Sequence, residues 1–277
     1  MNLTARSATI ITASTDPSNK LLRWAAIGWF VVAIIGQLLF AVYIVGFYGG
    51  TAVYGNIAEW NEKITHGFSE GATVSNLVVG IHLFFAALIT LGGPVQLISG
   101  IKRKYPVFHR RNGRIYVMLT AIAALTGLYM LYAHEGAGGA VSRPAMTLEA
   151  VLILLAGVLV WRFAVARQFR RHEAWAVRLF LVASGVWFFR VILMGWMLVN
   201  GGAVGFDPET FTGPFLDFLS YAHYLLPLAV YELYLWAGRS SHASVRYAVV
   251  GLLVVCTVFT GVGIFGAVAG LWLPAFS

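Results

Sequence analysis

Seven histidines stand in a chain that is 59% hydrophobic and only 11% charged. Four of them fall into two pairs. His82 and His223 lie in separate apolar runs. At 1.5 Å of rise per residue each sits roughly 14–15 Å from the same end of its run. His109 and His172 each precede an apolar run and are flanked by arginines, Arg110, Arg111 and Arg114 for the first, Arg170, Arg171 and Arg178 for the second. Two imidazoles from two helices can supply the two axial nitrogens of a haem b, with apolar side chains against the macrocycle. Arg190, Arg110, Arg114 and Arg178 are candidate partners for the anionic propionates. Gln96 is a further polar group near a Gly92-Gly93-Pro94 turn. Direct metal binding at His82 and His223 is the simpler form of the same idea. A metal cluster is less favoured, because no His-x-His or Glu-x-x-His spacing occurs. The plain alternative is that each histidine is a hydrogen-bonded packing group, and that Arg190 pairs with Asp217 or Glu149.

These residues need helices that cross a bilayer. Apolar runs cover residues 21–48, 73–101, 115–133, 146–165, 176–199, 213–236 and 247–273. Each is near the roughly 20 residues that span about 30 Å of hydrocarbon. The expected fold is an all-α integral membrane bundle of seven transmembrane helices, with residues 1–20 as a cytoplasmic segment and 21–277 as the membrane domain. Sixteen of the 19 Lys and Arg residues fall in alternate connections, on one side of such a membrane. The other side keeps Lys63 and Arg143, and Arg190 lies within a span. The positive-inside rule then puts the N-terminus inside, in the cytoplasm, and the C-terminus outside. The apolar run after the polar first 20 residues is too long for a cleavable signal.

Mean hydropathy is +0.79, far from that of a soluble domain. The net charge of +8 does not indicate nucleic acid, because its charges lie in short loops beside apolar spans. Anionic membrane lipids are the expected partners of those loops, and a quinone is a candidate redox partner. One cysteine, Cys256, precludes an internal disulfide. Residues 57–68 carry Trp60, Ile64 and Phe68 at a spacing of four, which predicts a short interfacial helix. Glycines 251, 261, 263, 266 and 270 predict close helix packing in the last run.

The motifs resemble a family of uncharacterised bacterial multi-pass membrane proteins, classed as a domain of unknown function. The resemblance rests on His82, on Gly93-Pro94-Val95-Gln96, on His109-Arg110-Arg111-Asn112-Gly113-Arg114-Ile115-Tyr116 and on His172, Trp175, Arg178 and Arg190. It covers residues 80–190. Ala176 stands where the family usually has Met, and His223 lies outside the motifs. The resemblance implies a membrane fold and no reaction. The functional expectation is a haem-binding electron-transfer protein of the cytochrome b561 type, a transmembrane oxidoreductase acting on quinol or ferric iron. The alternatives are a small-solute or proton-coupled transporter, in which Asp217, Glu232, Arg190 and His223 line a path, and a non-catalytic lipid-binding protein.

Overall fold

A computed structural model of the chain describes residues 16–64, 67–133 and 140–276. Arg6, His66, His134 and Glu135 lie outside the described residues. Among the described residues ten α-helices follow one another: α1 (Pro17–Tyr43), α2 (Gly50–Tyr54), α3 (Thr73–Leu97), α4 (Ser99–Lys104), α5 (Pro106–Ala133), α6 (Ser142–Val165), α7 (Phe169–Ala183), α8 (Gly185–Asn200), α9 (Pro214–Ala237) and α10 (Ala243–Ala267). Two π-helical segments, Ile44–Gly49 and Val268–Trp272, extend α1 and α10.

The helices begin where sequence chemistry starts them. Asp16 caps α1 by accepting from the Ser18 N–H (2.9 Å), with Pro17 at the first helical position. Pro214 starts α9 in the same way. Gly201, in the left-handed region at φ 68°, closes α8. Helix α1 starts four residues ahead of the apolar run at Leu21, and α5 starts nine residues ahead of Ile115. His109 and His172 therefore lie on helices α5 and α7, not in the loops before them. A polar helix start can stand out of the hydrocarbon, so the end of an apolar run marks the span and not the helix.

Among the described residues, five helical stretches are long and apolar enough to cross a membrane: Pro17–Tyr54, Thr73–Leu97, Pro106–Ala133, Ser142–Val165 and Ala243–Phe276. Helices α7 and α8 pass the same test together and are bent by 58° at Ser184. That makes six if the bent pair is one span. Large apolar side chains such as Phe84, Val158, Val255 and Phe265 point outward, which suits lipid as the surrounding solvent. The chain is an all-α membrane bundle.

Contacts fix how the helices run. Helices α1 and α10 are parallel. Arg246 near the start of α10 pairs with Asp16 (2.5 Å) and donates to Ser18 (2.6 Å). At the other end, the Phe40 ring meets Trp272 at 5.4 Å. Helix α9 runs antiparallel to α7–α8. Its start touches α8 through Phe215 and Trp196 (4.6 Å), and its end touches α7 through Glu232 and Arg178. Glycines let α10 lie close on α8. A Cβ at Gly263 would strike the Val191 carbonyl, and one at Gly266 would lie 2.8 Å from Leu198. Gly251 and Gly261 face open space, so only part of the expected glycine stripe packs.

The segment after α2 is a 3-10 turn, Ile57–Glu62, instead of an interfacial amphipathic helix. Trp60 turns inward, 6% exposed, and its indole N–H donates to Thr51 (2.8 Å). Asn61 holds the return of this loop by bonding both backbone groups of Phe68.

Candidate functional site

The α7–α8 break places polar groups from four elements together. Glu149 stands two turns into α6, not at its start, because the helix begins at Ser142. Its carboxylate meets His223 Nε2 of α9 at 3.2 Å. His223 is 3% exposed, and its Nδ1 lies 2.8 Å from the Leu219 carbonyl. That carbonyl only accepts, so a hydrogen bond there is donated by Nδ1–H, which leaves Nε2 facing Glu149. The Glu149 side chain is 14% exposed.

Gly185, the first residue of α8, makes the space for this pair. A Cβ there would overlap Glu149 Oε1 and approach His223 Cδ2 to 3.1 Å. The residue before it, Ser184, accepts from Gln37 Nε2 of α1 at 2.9 Å. Gln37 is 2% exposed, and its Oε1 has no hydrogen-bond partner among the described residues. Phe189 and Tyr224 pack their rings edge-on to His223, at 5.6 and 5.0 Å. Tyr224 anchors to the Ala145 carbonyl (3.1 Å), which ties α9 to the start of α6. The result is a carboxylate and an imidazole inside an apolar bundle, beside a helix interruption. Such a pair can exchange and hold a proton.

His82 lies elsewhere. Its Nδ1 meets the Thr126 hydroxyl of α5 at 3.0 Å, and Gly127 of the same helix leaves room for its ring. The structure gives His82 and His223 separate neighbours on separate helices. A shared axial-ligand arrangement would need the His223 Nε2 that Glu149 engages.

The inner pair also has separate hydrogen-bond partners. With its amide oriented to satisfy both ends, Gln96 donates to His109 Nδ1 (3.2 Å) and accepts from Asn112 and the Gly113 N–H. His172 Nδ1 meets the Val160 carbonyl of α6 at 3.0 Å. Lys102 of α4 pairs with Glu173 of α7 next to them. Gln96 and His109 therefore join α3 to α5, and His172 joins α6 to α7. Arg110 and Arg114 are exposed on the first turns of α5. Arg178 is occupied. It forks onto Glu232 (2.7 and 2.9 Å) and covers the Trp175 ring at 4.9 Å.

Arg190 has no carboxylate partner among the described residues. It donates to the Val186 carbonyl (3.2 Å) and lies 5.3 Å from the Phe40 ring centroid. Its two expected partners are placed otherwise. Glu149 is taken by His223, and Asp217 is exposed in the first turn of α9. Among the described residues no group of three or more His, Cys, Asp or Glu side chains is placed to hold a metal ion.

Residues 79–210 match the family DUF2306, described as a predicted membrane protein. The DUF2306 region takes in a little under half of the 277 residues. It runs from α3 past the end of α8, so it holds His82, Gln96, His109, Glu149, His172, Gly185 and Arg190. His223 lies beyond it, which leaves Glu149 inside the DUF2306 region and its partner outside. No curated protein and no solved structure matches the chain.

Sequence reasoning named Glu149 and His223 but did not pair them. It missed Gly185, Ser184 and Gln37. The usable signal for the first two was the Ser-Gly dipeptide within an apolar run, a sequence at which helices kink.

Proposed function

We propose that this membrane protein is a proton-coupled transporter, with Glu149 and His223 as its protonatable pair. The observation that carries the reading is the interruption of α7–α8 at Ser184–Gly185 against that pair. Interrupted helices expose backbone dipoles within a membrane only where protein or a water-filled path covers them. Transporters place substrate and ion sites at such breaks. A buried carboxylate against an imidazole is costly unless it works or is fully paired.

The reading includes seven crossings. A 58° bend redirects a helix without returning it, so α7–α8 counts as one span. Helix α10 starts beside the start of α1. An odd number of crossings between α1 and α10 must bring the chain back to that side, and α9 supplies the last. Its 24 residues extend about 36 Å. Basic residues gather at the end that holds Asp16 and Arg246, which faces the cytoplasm of a bacterial cell by the positive-inside rule. Lys102, Arg103 and Lys104 on α4 are exposed there and meet anionic lipid headgroups.

Infrared difference spectroscopy on the reconstituted protein tests the pair without knowledge of the substrate. A carboxyl stretching band should appear and vanish with pH and be absent in Glu149→Gln, and His223→Gln should shift its midpoint. A parent spectrum with no titrating carboxyl band assignable to Glu149 would sink the proposal. The haem expectation is read from the same sample. A Soret band lost in both His82→Ala and His223→Ala would replace transport with electron transfer.

A further inference from the structure

We propose that Arg190 and the aromatic residues around it bind the carboxylate of a small apolar monocarboxylate. The binding claim stands apart from the proton-transfer reading, and only the coupling between them rests on that reading. Arg190 is five residues beyond Gly185, about 7.5 Å along α8. It lies within a candidate span and has no ion-pair partner among the described residues. A guanidinium has five N–H donors in a fork that matches a carboxylate, and the Val186 carbonyl takes one of them.

Among the described residues no carboxylate pairs with Arg190, and its neighbourhood holds aromatic rings and neutral donors. Phe40 lies under the guanidinium and also packs on Trp272 (5.4 Å). Trp272 is 3% exposed, and its indole N–H has no acceptor among the described residues. Tyr43 stacks on the same Trp272 at 6.3 Å. Its hydroxyl meets that of Tyr48 at 3.4 Å. Tyr48 and Trp272 stand on the two π-helical segments, and Trp272 reaches the Arg190 neighbourhood through Phe40. Single π turns inside α-helices recur at functional sites.

The ligand chemistry follows from the balance of charge. One cation with neutral donors neutralises one negative charge. A phosphate monoester carries about −1.5 to −2 and would leave excess charge inside the bilayer. A carboxylate carries a single charge and accepts two parallel N–H bonds. The rings leave the rest of the ligand an apolar or aromatic lining. A monocarboxylate that moves with one proton crosses as a neutral sum, which ties this site to Glu149 and His223.

Thermal unfolding and tryptophan fluorescence of the purified full chain in detergent test the proposal. The probes are benzoate and hexanoate, with benzamide as the neutral analogue and inorganic phosphate as the more highly charged anion. Both carboxylates should raise the unfolding temperature and perturb fluorescence, and benzamide and phosphate should not. Arg190→Lys keeps the charge but loses the fork, and should weaken benzoate by about tenfold or more. Trp272→Phe should weaken it less, and Glu149→Gln should leave it bound. Benzoate bound equally by the parent and Arg190→Lys would overturn the site. So would a response to phosphate or phosphatidylglycerol that exceeds the response to benzoate. If benzoate binds as expected but Glu149 shows no titrating band, the proton-transfer reading falls and the carboxylate site stands.

Discussion

Single residues decide how much this bundle tolerates near Glu149. Gly185 has no space for even one methyl, since its missing Cβ is where the carboxylate lies. Gly185→Ala should therefore cost about 1–3 kcal/mol through overpacking and push Glu149 off His223. Thermal unfolding in detergent would read the loss, and Gly251→Ala, which meets nothing within 4 Å, is the control expected to change little. Arg178 and Glu232 make the opposite case. Their fork has good geometry, but Glu232 is 52% exposed, so Glu232→Gln should cost only about 0–1 kcal/mol. A larger fall would mean that the pair locks α7 to α9. At this scale the sequence was half legible. An ionisable group in an apolar run announces itself by its desolvation cost, which is why Glu149, His223 and Arg190 were visible. Their partners were not, because Glu149 and His223 are 74 residues apart and nothing local links them.

Elements carry the next level of prediction. Apolar runs located the helices long and apolar enough to span, five or six among the described residues, because hydrocarbon filters composition directly; α9 is not among them. Hydropathy could not place helix ends, and α5 begins among charged residues for that reason. Nor could it find the interruption of α7–α8, whose residues are apolar on both sides. Ser184 binds Gln37 across that break. Gln37→Leu should leave the Ser184 hydroxyl without its donor and loosen α1 from the break. Hydrogen exchange should then rise at residues 181–188 while α6 stays protected. Unchanged exchange there would show that apolar packing alone holds α1 in place.

At the scale of the molecule, orientation is the main expectation. A reporter fused in the 201–213 connection should report an external position, and one at Ser240 a cytoplasmic one. The same signal from both would remove α9 as a crossing. The lopsided distribution of Lys and Arg is what carries this expectation, because short loops with positive charge resist translocation. The same pattern could not reveal that the last helix returns to the first. That adjacency depends on which faces pack, and α1 and α10 are apolar nearly all round.

The adjacency of α1 and α10 sets an order of events during synthesis. Asp16 and Arg246 are 230 residues apart, and Trp29 of α1 bonds Thr260 of α10 at 3.3 Å. A ribosome adding about 5–20 residues per second delivers α10 some 10–50 s after α1. Throughout that interval α1 waits in the bilayer with the side it will present to α10 uncovered. A chain stalled before α10 should thus be a target for membrane proteases and chaperones. Arg246→Ala should lengthen the vulnerable period, seen as faster turnover of newly made chains with little change in the lifetime of mature protein.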